Sequence, residues 1–198
     1  MSIPLERITE LHYITHVQHL PSILGRGLLS HVRARKYMLV SIADPEVQEL
    51  REAKAVPQGL RLHQYVNLYL DARNPMMYVR KHRHLEICVL RIHTEVLHLP
   101  EVVITDGNAA AGNTAFFPSP AGLQYLDEES VFCQWWREED YFELMEKRRK
   151  RCAEVLGPHT VAPQYIRGAY VSCADAEARV SSLAPTLATT IKPYLFFA

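Results

Sequence analysis

Glu154 is the residue whose neighbours in the chain point most directly to chemistry. Five consecutive basic residues, Lys147 to Arg151, lead into Cys-Ala-Glu-Val-Leu, and Gly157-Pro158 ends the segment. A carboxylate within a short apolar run is unusual, because burying an unpaired charge is costly. Two interpretations are open: an edge-strand Glu that faces water, or a catalytic acid at the rim of a cleft. In the second, the cationic helix end beside it would receive something anionic.

A second group of candidates lies near the N-terminus and is suited to binding a nucleotide. The stretch 11–16 (LHYITH) predicts a short strand, and 21–29 predicts a helix with Pro21 in its first turn. A helix N-terminus directly after a strand can hold a phosphate, and Thr15 and Ser22 could supply hydroxyls. The alternative is an ordinary strand–helix connection.

Positive charge is also concentrated between residues 73 and 91, where a single acid occurs. Aromatic and Met residues are interleaved with the charges, which suits stacking on unpaired bases. The alternative is a solvated loop between two strands. The candidates for nucleic-acid contact in and near this segment are Tyr69, Arg73, Met77, Arg80, Lys81, Arg83 and Arg91.

The elements that must position these residues follow from the apolar pattern and the turn residues. Asp44-Pro45 is a helix start, with Asp as N-cap and Pro at the first helical position. The stretch 30–40 is basic and irregular, and a long Ala/Gly/Asn/Pro-rich loop follows Thr105. Strands are predicted at 65–70, 86–92, 102–105, from about 155, 166–173 and 194–197, and helices at 44–54, 127–136, 140–149 and 174–183.

Composition limits the class of protein. The 198 residues suit one domain spanning 1–198. Acids and bases balance at 22 each, so net charge indicates no partner. No apolar run is long enough for a membrane span, and the N-terminus lacks a secretory signal. Four scattered cysteines without a CxxC pair favour reduced thiols in the cytoplasm, with no zinc site or other metal site.

Taken together, the segments of this chain resemble the DarT family, the toxin enzymes of DarT–DarG toxin–antitoxin systems. These enzymes are ADP-ribosyltransferases that modify bases in single-stranded DNA. The resemblance covers nearly the whole chain, and it is the combination of segments that is specific. They are YITHVQHLPSIL, DPEVQELR, YVNLYLDARNPMMY, ICVLR, VVITDGNAA and KRRKRCAEVL.

The resemblance implies an α+β fold of the ADP-ribosyltransferase type, with flanking helices around a split central β-sheet and NAD in the cleft. Residues 35–53 resemble the family's NAD-binding element, and 113–153 resemble its substrate-recognising loop. Arg51 matches the essential arginine and Glu154 the catalytic glutamate. The residues implied to contact NAD are Tyr13, Ile14, Thr15, Ser22, Ser30 and Arg51; Lys147, Arg148 and Arg149 join the candidates for nucleic-acid contact.

One position departs from the family pattern. The family usually reads Tyr-His-Ile-Thr where this chain reads His12-Tyr13-Ile14-Thr15. Neighbouring residues of a strand face opposite sides, so His12 cannot simply take over the role of the usual histidine. Tyr13 can still donate a hydrogen bond and stack on an aromatic ring.

The implied reaction transfers ADP-ribose from NAD to a base, thymidine above all, of single-stranded DNA. Glu154 would stabilise the positive charge that develops on the ribose. Arg51 would clamp the NAD phosphates or help to deprotonate the acceptor base. Guanine or RNA as acceptor, and a non-catalytic module that only binds single strands, are the alternatives. The implied partners are single-stranded DNA and a DarG-like macrodomain antitoxin, with no membrane and a monomeric enzyme.

Overall fold

A large mixed sheet is the centre of the structure. The computed structural model describes residues 1–37, 40–42 and 44–198. Eight strands form one sheet and two form a separate small pair. The strands are β1 (Leu11–His16), β2 (Leu28–Leu29), β3 (Tyr65–Tyr69), β4 (Ile87–Ile92), β5 (Val103–Thr105), β6 (Phe116–Pro118), β7 (Glu154–Pro158), β8 (Thr160–Val161), β9 (Ile166–Val171) and β10 (Thr189–Ile191).

The sheet is almost entirely antiparallel. Its strand order is β10-β9-β4-β1-β3-β7-β5-β6, and only β9 and β10 run parallel among the described strands. The small pair joins β2 to β8. Within the described ranges, seven α-helices flank the sheet: α1 (Leu20–Arg26), α2 (His31–Ala34), α3 (Pro45–Ala53), α4 (Pro75–Arg80), α5 (Glu128–Phe132), α6 (Tyr141–Arg151) and α7 (Ala174–Leu183). The predicted fold class is confirmed.

The two faces of β3 separate the core from the functional cleft. Val66 and Leu68 are buried in the main hydrophobic core. The alternate residues Tyr65, Asn67 and Tyr69 lie on the opposite face, because successive strand side chains point to opposite sides, and all three line the cleft. The alternation of polar and apolar residues in YVNLY therefore determines which face of the sheet the cleft occupies.

The sheet divides between β1 and β3. Strand β1 pairs with β4 at six positions and β3 pairs with β7 at five, but between β1 and β3 the described residues form the single pair His12–Tyr69. This pair lies near the start of β1 and at the end of β3, the remaining described residues of the two strands are not paired with each other, and residues of both line one cleft. This interruption of the pairing is the split of the sheet that the sequence resemblance implied.

The predicted N-cap of α3 is confirmed. Oδ1 of Asp44 accepts hydrogen bonds from the backbone N–H of Glu46 at 3.0 Å and of Val47 at 3.4 Å, which satisfies two otherwise unpaired donors. Pro45 occupies the first position, where its missing N–H costs nothing. The helix then carries Arg51 in its last turn.

Two predicted helices are shorter than the sequence indicated. The first ends at Arg26, because Gly27 has φ +84° and a Cβ there would lie 2.3 Å from the carbonyl oxygen of Val161. The helix predicted at 127–136 covers only Glu128–Phe132. The helix ends because Cys133 leaves helical geometry with ψ 139°, and side-chain nitrogens of Arg151 hold this end by donating to the carbonyl oxygens of Val131 and Cys133.

Three other predictions about local structure are corrected. The stretch 30–40 contains α2 and is not wholly irregular; Met38 and Leu39 lie outside the described residues. The long loop after Thr105 contains β6, which pairs with β5. The final strand predicted at 194–197 is wrong: Pro193–Phe196 form a 3-10 helix, because Lys192 leaves extended geometry and Phe197 adopts a left-handed conformation. No helix in the described ranges is long and apolar enough to cross a bilayer.

Candidate active site

The cleft between the two halves of the sheet has a volume of about 370 Å³, within the range typical of small-molecule sites. Strands β1 and β3 form its floor, and α1, α2 and α3 contribute side chains to its wall. Arg51 and Glu154, which are 103 positions apart in the sequence, both line it. The fold therefore brings together the two residues that the sequence predicts to be catalytic.

Arg51 and Glu154 form a buried ion pair. Nη1 of Arg51 lies 3.1 Å from each carboxylate oxygen of Glu154. Arg51 is 5% exposed and Glu154 is 1% exposed. Charges that are buried to this extent need a partner, and each of these residues supplies one for the other.

Glu154 begins β7, an interior strand between β3 and β5. Its Oε1 also accepts a hydrogen bond from the backbone N–H of Ala109 at 3.0 Å, and its own N–H donates to Oγ1 of Thr105 at 3.0 Å. The interpretation of Glu154 as an edge-strand residue facing water is therefore wrong. Its carboxylate is fixed from two sides at the base of the cleft.

Arg51 has an unused donor in the cleft. Its Nη2 is buried and has no hydrogen-bond partner among the described residues. Burial opposes the charge of Arg51, but the Glu154 carboxylate more than offsets this, so the pKa of Arg51 is raised. The guanidinium thus stays protonated and can bind an acceptor atom of a ligand through Nη2. An orphaned buried donor is expensive unless a ligand satisfies it.

The loop that provides Ala109 is held by Arg149. Nη1 and Nη2 of Arg149 bond the two carboxylate oxygens of Asp106 at 2.7 and 3.1 Å, and Nε and Nη2 bond Glu146 at 2.8 and 2.7 Å. The carbonyl oxygen of Arg149 accepts from the N–H of Asn108 at 2.9 Å. A Cβ at Gly107 would lie 2.5 Å from Nη1 of Arg149, so only glycine fits there.

This network corrects the prediction that Arg149 contacts nucleic acid. Arg149 is 9% exposed, and its guanidinium is paired with two carboxylates. No face of the guanidinium is therefore free to bind a phosphate. The other two predicted residues of this segment differ. Arg148 is exposed, and Nζ of Lys147 is paired with Glu138.

Most residues predicted to contact NAD do line the cleft. Tyr13, Ile14, Thr15 and Ser22 are among its lining residues. Burial raises the pKa of Tyr13, so its hydroxyl stays protonated and can donate. Ser30 is the exception, because it is 1% exposed and does not line the cleft. Its position therefore does not support the prediction that it binds NAD.

A pair of histidines in the cleft was missed by the sequence reasoning. The rings of His31 and His63 are stacked with centroids 4.2 Å apart and an interplanar angle of 23°. Both line the cleft, and Nε2 of His63 lies 3.2 Å from Oε1 of Gln48. Burial lowers the pKa of both, and nearby charges such as Arg35 and Arg51 add to this. The two residues are 32 positions apart, so no local pattern indicated their contact.

The residues predicted to bind nucleic acid differ in their position relative to the cleft. Tyr69 and Arg80 line the cleft, and Nε of Arg80 donates to the carbonyl oxygen of Ile42 at 2.7 Å. Burial, followed by the charge of Glu154, raises the pKa of Tyr69. Lys81 is exposed beside the cleft-lining helix α4, with its Nζ 4.4 Å from the ring centroid of Tyr78. Nε of Arg83 is paired with Glu86 at 2.9 Å.

Three further candidates, Met77, Arg73 and Arg91, do not line the cleft. Met77 is fully buried in a hydrophobic cluster, so the prediction that it stacks on a base is wrong. Arg73 is 5% exposed, and its guanidinium lies among the rings of Trp135, Tyr194 and Phe197, which corrects its predicted role as a surface contact. Nε of Arg91 is paired with Glu10 at 2.8 Å, and Arg91 does not line the cleft.

The sequence of the chain matches a described family. Residues 12–197 match the family described as ssDNA thymidine ADP-ribosyltransferase, DarT. A DNA ADP-ribosyl transferase–DNA ADP-ribosyl glycohydrolase fusion protein of Thermosipho africanus (strain H17ap60334) is 32% identical over 172 residues. That match covers 84% of this chain and 43% of the fusion protein, so the chain spans less than half of this relative.

Two further similarities involve a single bacterial source. A DNA ADP-ribosyl transferase of Thermus sp. (strain 2.9) is 31% identical over 156 residues, covering 71% of this chain and 72% of that protein. The solved structure of Thermus sp. 2.9 DarT in complex with ADP-ribosylated ssDNA is similar with a TM-score of 0.84. That similarity is at 25% sequence identity and covers 99% of this chain and all of the other.

Proposed function

The chain belongs to the DarT family, and we propose that it is an enzyme that transfers ADP-ribose from NAD to thymidine in single-stranded DNA. The observation that carries this proposal is the buried pair of Arg51 and Glu154 at the base of a cleft. A module that only binds strands would have no need to bury two charges against each other in a ligand-sized cavity. The solved Thermus relative in complex with ADP-ribosylated ssDNA supports the same reaction.

Glu154 acts on the ribose. When the nicotinamide–ribose bond breaks, nicotinamide leaves with the bonding electrons, and positive charge develops on the ribose. A fixed carboxylate in a water-poor cleft stabilises that charge most effectively, and Glu154 is fixed by Arg51 and by the N–H of Ala109. The same carboxylate can accept a charge-assisted hydrogen bond from a ribose hydroxyl.

Arg51 acts as a donor rather than as a base. Its raised pKa keeps it protonated, so it cannot take a proton from the acceptor base. Its unpartnered Nη2 is the group that binds a phosphate or carbonyl oxygen of the bound substrates. The attacking base nitrogen forms the new bond to the ribose and gives up its proton to the Glu154 carboxylate.

The acceptor base must be unpaired to enter the cleft, because its reacting atom is inaccessible inside a duplex. The stacked rings of His31 and His63, with Tyr69 and Tyr13, give the cleft several aromatic faces for nicotinamide, adenine or the acceptor base.

The test is mass spectrometry of short single strands after incubation with NAD. We expect a thymine-containing DNA strand to gain one ADP-ribose. Strands of the same length in which thymine is replaced, guanine-containing strands and RNA serve as the controls. If only guanine-containing strands or only RNA were modified, the acceptor would be guanine or an RNA base and not thymidine. Binding of all strands without any consumption of NAD would reduce the protein to a binding module.

We also propose the remaining features that the family implies. A DarG-like glycohydrolase should remove the modification, as the fused Thermosipho relative combines both activities in its name. The chain is proposed to work as a single-domain monomer in the cytoplasm, where its four free cysteines would stay reduced. Incubation of modified strands with such a glycohydrolase, and light scattering of the purified protein, test the first two of these statements.

A further inference from the structure

A basic groove adjoins the cleft and has no role in the reaction described above. It is an open depression of about 600 Å³ with walls from α1, β2 and α2 and the turn that follows. Leu29 and Tyr37 line both the groove and the cleft, so the two cavities adjoin each other. The basic groove is defined by four cations: Arg26, Arg33, Arg35 and Lys36.

The charge of the groove is uncompensated. All four cations are exposed, and none forms an ion pair within the residues that the structure describes. No acid lines the groove in the described part of the chain, and the sequence holds no Asp or Glu from Leu11 to Ala43. The chain as a whole has equal numbers of acids and bases, so this local excess is a property of the groove and not of the protein.

Two of the groove's cations, Arg26 and Lys36, lie over one aromatic ring. Cζ of Arg26 lies 4.5 Å from the ring centroid of Tyr37, and Nζ of Lys36 lies 5.3 Å from it. Nη1 of Arg33 donates to Oγ1 of Thr160 at 2.9 Å, which holds this arginine against β8. Cations interleaved with an aromatic ring beside an open groove are the features that bind single-stranded nucleic acid.

We propose that the basic groove binds the sugar–phosphate backbone of the substrate strand, next to the base that enters the cleft. This inference rests on the proposed function, since it assigns the groove to the strand that the cleft modifies. Four exposed cations exceed what the two phosphates of NAD require, and the groove lies outside the cleft that holds the Arg51–Glu154 pair. The phosphates of a strand are repeated along its length and match such a row of cations.

The experiment compares two double variants that each remove two positive charges. Arg26→Gln/Arg33→Gln changes the basic groove and leaves residues 35–53, which resemble the family's NAD-binding element, unaltered. Arg167→Gln/Arg179→Gln is the matched control, because both arginines are exposed and line neither cavity. Binding of a fluorescent thymine-containing single strand is measured by anisotropy without NAD, over a series of salt concentrations, and thermal melting checks that each variant is folded.

For the groove variant we expect affinity to fall about tenfold at low salt. The slope of log affinity against log salt should become shallower by about 1.4, since each contact contributes about 0.7 for single strands. The control should keep the wild-type slope. Arg26→Lys/Arg33→Lys, which keeps the charges, should also keep that slope, so a loss through misfolding can be recognised.

A second measurement distinguishes the DNA strand from NAD as the ligand of the basic groove. The KM for NAD in the transfer reaction should be unchanged in the groove variant, while the KM for the strand rises. A raised KM for NAD with an unchanged salt slope would overturn the proposal and assign the groove to the NAD diphosphate. Equal salt slopes in the groove and control variants would also overturn it, while transfer by the wild type would leave the proposed function standing. A wild-type protein that transfers nothing would contradict the proposed function itself.

Discussion

The guanidinium groups of Arg149 and Arg151 lie inside the protein, whereas those of Arg33 and Arg35 face solvent. Both pairs come from stretches that read as basic surface in the sequence. Arg149 is taken up by Asp106 and Glu146, and Arg151 by Asp71 and three backbone carbonyl oxygens. No carboxylate lines the basic groove among the described residues. Charge density along the chain thus does not reveal whether a cation organises the fold or binds a partner.

The comparison predicts its largest effect at Arg151, which is 2% exposed. Arg151→Met should lower the free energy of unfolding by about 3 kcal/mol or more, because it leaves a carboxylate and several buried carbonyl oxygens without donors. Urea denaturation measures this. Arg148→Met, in the exposed neighbour, is the control and should change stability by no more than about 0.5 kcal/mol. Similar losses in both variants would contradict the division into inward and outward cations.

Arg149 should affect the reaction rather than strand binding. It is a positioning residue, since it holds the loop that brings the N–H of Ala109 to Glu154. Arg149→Met should lower kcat by roughly tenfold to a hundredfold, as small displacements of catalytic groups do. The salt dependence of strand binding should stay at its wild-type slope. A shallower slope with an unchanged kcat would return Arg149 to the nucleic-acid interface.

Arg51 is another buried arginine, and it lies in the cleft. Arg51→Lys keeps the charge but loses the planar fork that bonds Glu154 through Nη1 and leaves Nη2 free for a ligand. We expect transfer to fall by about tenfold or more, since a bond to a charged group contributes about 1.5–3 kcal/mol. Steady-state assays at saturating NAD measure it. Wild-type activity in the Lys variant would mean that a positive charge alone suffices.

The stacked histidines should produce the smallest effect, which depends on pH. Burial and neighbouring charges lower the pKa of His31 and His63 below their ordinary value of 6.5. Since the unfolded chain then binds protons more readily, their contribution to stability is complete above pH 6.5 and is lost as the pH falls through the lower folded pKa. The double variant His31→Gln/His63→Gln should therefore lose less melting temperature than wild type between pH 7.5 and 5.5. An equal loss in both proteins would contradict this.

The sequence allowed much of the architecture to be predicted, because local signals dominate there. The strand at 65–70 and the Asp44-Pro45 cap of α3 each depend on signals within a few residues, and both were confirmed. The shortened α5 was not predictable in the same way, since its end depends on Arg151, which lies about twenty positions away. The final 3-10 helix was also missed, although Pro193 at its start was a signal.

The same distinction between local signals and contacts across the chain applies to the candidate site. Glu154 was a candidate from its neighbours in the sequence, and a resemblance gave Arg51 and supported Glu154; the structure brings the two into contact. Their contact could not be derived from spacing, nor could the stack of His31 on His63 or the capture of Arg149 by Asp106. The roles of Met77 and Arg73 were misread because apolar and aromatic neighbours in the sequence indicate a core as readily as a stacking surface.

The most direct test of the central claim is single-turnover transfer by Glu154→Gln on a thymine-containing single strand. Gln keeps the shape and one acceptor but removes the charge that stabilises the ribose, so we expect transfer to slow by at least about a hundredfold. Because Glu154 is buried against Arg51, folding is measured by thermal melting alongside the assay. Glu6→Gln, at an exposed glutamate that does not line the cleft, is the matched control and should transfer at the wild-type rate. A folded Glu154→Gln protein that transfers ADP-ribose as fast as wild type would contradict the account.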